Sequence, residues 1–136
     1  MTRALFISDV YFPRVNGVST SIATFRAALR TAGVHTTLVA PRYPNAAGAA
    51  ESSVGAADDT ALVRVDAASV PRDAEDRRMR GRALRAALAG LDGEHFDIVH
   101  VQTPFVAHYA GVRYARRRGI PVIATYHTLF EEYLHH

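Results

Sequence analysis

Two kinds of apolar segment alternate along the chain, one short and continuous, the other spaced at helical intervals. RALFISDV, residues 3–10, is a brief apolar run ending near Asp9 and predicts a buried parallel strand. YFPRVNG follows as a loop, with Pro13 and the Asn16-Gly17 pair as turn signals. Val18, Ile22, Phe25, Leu29 and Ala32 then recur at helical spacing until Gly33 supplies a stop. HTTLVAP predicts the second strand, and residues 43–60, small and polar, predict a mobile surface loop. ALVRV predicts a third strand. Residues 71–89 predict a helix whose inner side carries Met79, Ala83, Ala86, Leu84, Leu88 and, just beyond it, Leu91. DIVHV is the fourth strand, after which Thr103 and Pro104 have the chemistry of an N-cap and first helical residue. That helix runs to about Arg118, where three Arg sit at the negative end of the dipole. GIPVIATYH predicts the fifth strand, and LFEEYLHH opens a further helix.

Strands and helices alternating at this spacing imply right-handed crossovers, hence a Rossmann-like α/β domain: a parallel sheet with helices on both faces. The 136 residues suffice for one such domain. The sequence stops inside an amphipathic segment without a closing helix, so residues 1–136 are expected to be the truncated front domain of something larger.

Composition narrows the chemistry by what is missing. There is no Cys, which removes disulfides, thiolate metal sites and cysteine nucleophiles. All 16 basic residues are Arg, which excludes a lysine-bearing Walker phosphate loop and a Schiff-base lysine. The formal net charge of +3 says little about partners. Its distribution says more, because Arg72, Arg77, Arg78, Arg80, Arg82 and Arg85 crowd one stretch. That stretch reads either as a solvated helix face or as a basic amphipathic helix touching anionic lipid headgroups. Nucleic acid is disfavoured, since no aromatic residues interleave the charges. No apolar run reaches the roughly 18 residues of a membrane span, and the N-terminus lacks a signal-peptide pattern. The expected location is the cytoplasm, with peripheral attachment to the inner membrane face if the basic stretch binds lipid.

Ligands of open α/β sheets bind beyond the carboxyl ends of the strands. DVYFPRVNGVSTS, HVQTPFVAH and TYHTLFEEY all leave strands at that edge. In the first, Asn16-Gly17 would let the backbone turn with positive φ and aim the free N–H groups of a helix start at an anion such as a diphosphate. The plainer reading is a loop with Ser19 or Thr20 capping a helix. GxGxxG and GxSxG are both absent, which removes support for a dinucleotide oxidoreductase and for a serine-hydrolase elbow. His127 follows the fifth strand at the cleft edge, where an imidazole serves as donor to a sugar hydroxyl or a developing charge; the competing reading is a half-buried His bonded to a carbonyl. His100, inside the fourth strand, reads as structural. His100 and His108 lack metal-motif spacing.

Taken together, ISDVYFPRVNGVSTSI, FDIVHVQTPF and GIPVIATYHTLFEEYLHH resemble the N-terminal domain of a GT-B glycosyltransferase of family 4, over essentially the whole chain. TYHTLFEEY is most similar to the branch that glucosylates diacylglycerol or mannosylates related lipids. The resemblance implies the acceptor-side half of a two-domain enzyme that retains anomeric configuration and needs no metal or other cofactor. It implies that a UDP- or GDP-sugar donor has its diphosphate approached by Asn16, Gly17 and Val18. It implies that His127 contacts the transferred sugar, with Tyr11, Phe12, Tyr126, Thr128 and Glu131 toward a lipid or polyol acceptor. The donor-binding half and its E-x7-E motif lie outside these residues. Two other readings stand beside it: a non-catalytic Rossmann-like module holding a phosphate or polyol, and a membrane-surface adaptor.

Overall fold

The computed structural model describes residues 1–44, 61–70 and 73–125. Five parallel strands, β1 (Arg3–Ile7), β2 (His35–Pro41), β3 (Leu62–Val65), β6 (Ile98–Val101) and β7 (Val122–Ala124), form one sheet in the order β3-β2-β1-β6-β7. Helix α1 (Gly17–Thr31) covers one face, while α2 (Gly81–Ala89) and α3 (Val106–Arg118) cover the other. Strand alternation divides the core accordingly. Leu5 and Ile7 face the larger cluster with Leu84, Leu88, Tyr114 and Ala115, whereas Ala4 and Phe6 face the smaller one with Ile22 and Leu38. Burial on both faces is why β1 and the second half of β2 read as continuous apolar runs.

The helix ends follow local chemistry. Gly33 and Gly119 adopt φ of 85° and 68° past the ends of α1 and α3, and the Val34 and Ile120 N–H groups reach back to Leu29 O and Ala115 O at 2.9 and 2.8 Å. Both are Schellman motifs, which need the left-handed conformation glycine adopts cheaply. In α1 the inward position is Arg26 rather than Phe25, which is half exposed. The Arg26 guanidinium is buried and donates through Nε to Thr36 Oγ1 at 2.9 Å, tying the helix to β2.

Two expectations are corrected. Residues 71–89 are not one helix: β5 (Asp73–Met79) is a strand, paired antiparallel with β4 (Ala67–Val70), and the helix begins only at Gly81. Met79 opposite Ala67 is fully buried in the larger cluster, and Arg80 closes the hairpin with its N–H on Asp66 O at 3.0 Å and its Nε on the Asp66 carboxylate at 3.0 Å. Ladder pairing and that one buried side chain outweigh the helical propensity of DAEDRRM. Thr103 and Pro104 are likewise not the cap and first residue of α3, whose N-cap is Phe105 without a side-chain capping bond. Of the loop expected at residues 43–60, Tyr43 is buried and residues 45–60 lie outside the described residues.

Gly111 sets how closely α3 lies on the sheet. A Cβ there would stand 2.8 Å from Val101 Cγ2 and 3.2 Å from Ile7 Cδ1, both anchored on strands. Gly111→Ala should lower stability by about 2 kcal/mol, because overpacking exceeds the roughly 1 kcal/mol gained in helix propensity. Thermal unfolding of the variant checks this, and an unchanged or raised Tm would show that α3 moves away freely.

Candidate functional site: the crevice beyond β1 and β6

The strand order reverses between β1 and β6. From β1 the chain leaves toward α1 on one face, and from β6 toward α3 on the other, which opens a crevice beyond their carboxyl ends. Asp9, just past β1, holds its two sides together. Its carboxylate accepts from Thr103 Oγ1 at 2.6 Å and from the Ala107 N–H at 3.2 Å, while Thr103 Oγ1 accepts the Asp9 N–H at 2.8 Å. Asp9 therefore caps α3 from 98 residues away, in place of the local cap that Phe105 does not supply. Burial pushes its carboxyl above the ordinary Asp value, and the bonds from Thr103, Ala107, Phe105 and Val106 pull it part of the way back. Sequence reasoning missed this residue; the available signal was an Asp directly after a buried strand at the ligand-binding edge.

The loop from Ser8 to Asn16 is tied down from outside the crevice. Arg64 on β3 donates Nη2 to Phe12 O at 2.7 Å and Nη1 to Pro41 O at 2.9 Å, with its guanidinium 5.5 Å from the Tyr11 ring centre. Tyr11 and Phe12 are both buried in the smaller core cluster, edge-to-face at 5.1 Å, and the Tyr11 N–H reaches the Tyr43 hydroxyl at 3.4 Å. At the loop's end Asn16 caps α1, its Oδ1 accepting the Ser19 N–H at 2.9 Å, while Ser19 Oγ donates to Arg14 O at 2.6 Å. The cap is thus Asn16 and neither Ser19 nor Thr20.

Gly17 does not have the positive φ expected of it. Asn16 is extended, and Gly17 is simply the first helical residue. A Cβ at Gly17 would meet nothing within 4 Å, so the position faces open space. Nothing in the described structure requires a glycine there. Thr20 N–H is bonded to Asn16 O at 3.1 Å and Ser19 N–H to Asn16 Oδ1, which leaves the Gly17 and Val18 N–H groups unpaired among the described residues. Two free donors on the positive end of a 15-residue helix, beside open space, make a cradle for an anion.

His100 is buried on β6 with its ring 4.9 Å from that of Phe6 and its Nε2 2.6 Å from Thr125 Oγ1, a structural position, as its sequence context suggested. Thr125 continues β7 with its N–H on Val101 O at 2.9 Å. Tyr126, His127, Thr128 and Glu131 lie outside the described residues. Among the described residues no three His, Asp or Glu side chains gather as a metal site, and no helix is long and apolar enough to cross a membrane.

Comparison with known proteins fits this architecture. The chain is 36% identical over 130 residues to an alpha-monoglucosyldiacylglycerol synthase of Streptococcus pneumoniae, covering 95% of this chain and 27% of that protein. It is 30% identical over 126 residues to a GDP-mannose-dependent alpha-mannosyltransferase of Mycobacterium tuberculosis, covering 93% and 32%. The chain thus spans about a third or less of the length of these relatives. Among solved structures, MurG of Acinetobacter baumannii superposes with a TM-score of 0.59 at 18% identity, over 91% of this chain and 34% of MurG, a likeness of fold alone. The family model for Glycosyltransferase Family 4 matches residues 15–136, and the chain belongs to that family.

Proposed function

We propose that these residues form the acceptor-side domain of a retaining glycosyltransferase that moves a hexose from a UDP- or GDP-sugar onto a lipid hydroxyl without a metal. The observation that carries the reading is the pair of free N–H groups at Gly17 and Val18, facing open space at the crevice where the sheet reverses. Family membership, and relatives named for diacylglycerol glucosylation and GDP-mannose use, supply the reaction class. In this reading Asn16 sets the helix start, while Gly17 and Val18 hold donor diphosphate oxygens as charge develops on the leaving group. His127 touches the transferred sugar. Tyr126, Thr128 and Glu131 border the acceptor. Tyr11 and Phe12, buried as they are, act on the acceptor side by shaping the loop. Catalysis rests on positioning and electrostatics. The work is done at a membrane surface, where the acceptor resides, and the isolated 136-residue domain is inactive because it lacks most donor contacts.

Gly17→Val in the full-length protein tests the reading. The new side chain meets no protein atom at its Cβ, so the melting temperature should hold. The isopropyl group should block the diphosphate and lower kcat/KM for the nucleotide sugar by about tenfold or more. Turnover of labelled UDP-glucose and GDP-mannose onto a detergent-dispersed lipid acceptor, with and without a chelator, gives the readout. Full activity of Gly17→Val, or no turnover with any donor by the unaltered protein, would overturn it.

A further inference from the structure

Strand β3 reads LVRV, one arginine in an otherwise apolar strand, and its pairing with β2 sets Arg64 opposite Ala40, near the carboxyl edge of the sheet. The guanidinium donates to two backbone carbonyls. Nη1 reaches Pro41 O at 2.9 Å, at the last residue of β2, and Nη2 reaches Phe12 O at 2.7 Å, in the loop that joins β1 to α1. Its flat group also lies 5.5 Å from the Tyr11 ring centre and 6.0 Å from that of Tyr43, both of them buried residues. A planar fork can hold two carbonyls and lie beside two rings at once, whereas a lysine ammonium is a point charge on a flexible stem. From Phe12 the constraint runs a short way to the start of α1. The Arg14 N–H donates to Tyr11 O at 3.1 Å, Arg14 O accepts Ser19 Oγ at 2.6 Å, and the Ser19 N–H is held by Asn16 Oδ1 at 2.9 Å. The stretch between the carbonyl that Arg64 holds and the unpaired Gly17 and Val18 N–H groups is thus fastened at both ends. Donors that stabilise a leaving group act best when fixed before its charge develops, and a misplacement of about 1 Å forfeits much of the effect.

We propose that Arg64 is a positioning residue for the diphosphate cradle: by clamping Phe12 O to the end of β2 it fixes the first turn of α1, and with it the aim of the Gly17 and Val18 N–H groups. The inference rests on the diphosphate reading of that cradle and adds to it a residue on another strand that touches no substrate. The body of α1 is held separately, through Ile22 in the core and Arg26 on Thr36. Loss of Arg64 should therefore leave the helix in place and loosen only its entry. That looseness matters most as charge develops on the diphosphate, and little when the nucleoside binds.

The experiment is a double-mutant cycle in the full-length protein, Arg64→Met with Gly17→Val, read as kcat and KM for UDP-glucose and GDP-mannose on detergent-dispersed lipid acceptor. Arg64→Met keeps the bulk of the stem and removes the fork. Its kcat should fall about tenfold while KM changes less than about twofold. In the Gly17→Val background, where the cradle is already blocked, the same substitution should lower kcat/KM by less than about twofold. Arg64→Lys keeps the charge without the fork and should recover only part of the loss, staying about threefold or more below the parent in kcat. If Arg64→Met does not fold, the cycle is run with Arg64→Lys. Either change should lower the melting temperature by about 5 °C, so His100→Ala, destabilised away from the loop, is the comparison and should keep kcat within a few-fold. Equal losses from the Arg64 substitution in both backgrounds, or a loss of kcat no larger than that of His100→Ala, would overturn the positioning role and leave the diphosphate reading intact. Full activity of Gly17→Val would remove the diphosphate reading, and the positioning role with it.

Discussion

Asp9→Ala should destabilise the domain by about 3 kcal/mol, the largest loss expected from any single side chain at the crevice. Two groups lose their partner together. The Thr103 hydroxyl, 2.6 Å from the carboxylate, and the Ala107 N–H, 3.2 Å from it, are buried, and α3 loses the only side-chain cap it has among the described residues. Asp9→Asn should cost less, since its amide oxygen still accepts the Ala107 N–H. The two variants also separate structure from charge. Burial holds the Asp9 carboxyl above its ordinary value, so the folded state binds that proton more tightly than the unfolded chain. The associated stabilisation is complete below the ordinary Asp value and is lost as pH rises through the folded one. The stability advantage of the unaltered protein over Asp9→Asn should therefore be greatest in acid and shrink toward neutral pH. Chemical denaturation of both proteins across that range measures the difference, in which other titrating groups cancel. An advantage that grew with pH would mean that hydrogen bonding, not burial, dominates the carboxyl.

Asp9 also illustrates what a sequence discloses and what it withholds. The strands at residues 3–7, 35–41 and 98–101 were legible because burial on both sides leaves a short apolar stretch in each, Ala4–Ile7, Leu38–Pro41 and Ile98–Val101 around His100. Gly33 was legible as a helix stop because glycine alone adopts its left-handed conformation cheaply, whereas Gly119, which takes the same conformation past α3, was read as the start of the fifth strand. Residues 73–79 were not, since DAEDRRM carries no β-branched residue and its strand exists only by pairing with Ala67–Val70. The burial of Arg26 in place of Phe25 depends on Thr36, which the spacing of α1 does not contain. At the site, the Asn16-Gly17 pair stood out as a local turn signal, but the cap was placed at Ser19 or Thr20 instead of Asn16, and the positive φ given to Gly17 is absent. The Asp9–Thr103 bond joins positions 94 apart and becomes visible only once β1 and β6 are neighbours.

In the full-length protein, His127→Ala should lower kcat about a hundredfold or more while leaving the affinity for the nucleotide part of the donor nearly unchanged. The expectation belongs to the proposed transferase reading. His127 follows β7 in the sequence, and β7 ends at the same carboxyl edge as β1 and β6, since all are parallel. As the diphosphate departs, positive charge grows on the sugar ring and must be met in a fixed geometry. A positioned imidazole supplies that geometry and a hydrogen bond to a sugar hydroxyl, and both are realised most fully in the transition state. Its removal therefore appears in kcat more than in KM. His100→Ala is the contrast. Its ring is buried against Phe6 and bonded to Thr125, so truncation should cost about 2 kcal/mol of stability from packing and an orphaned hydroxyl. Below its melting transition, that variant should turn over within a few-fold of the parent. If His127→Ala kept its kcat with an unchanged melting curve, the residue would hold structure alone, and the sugar contact would have to be sought among Tyr126, Thr128 and Glu131.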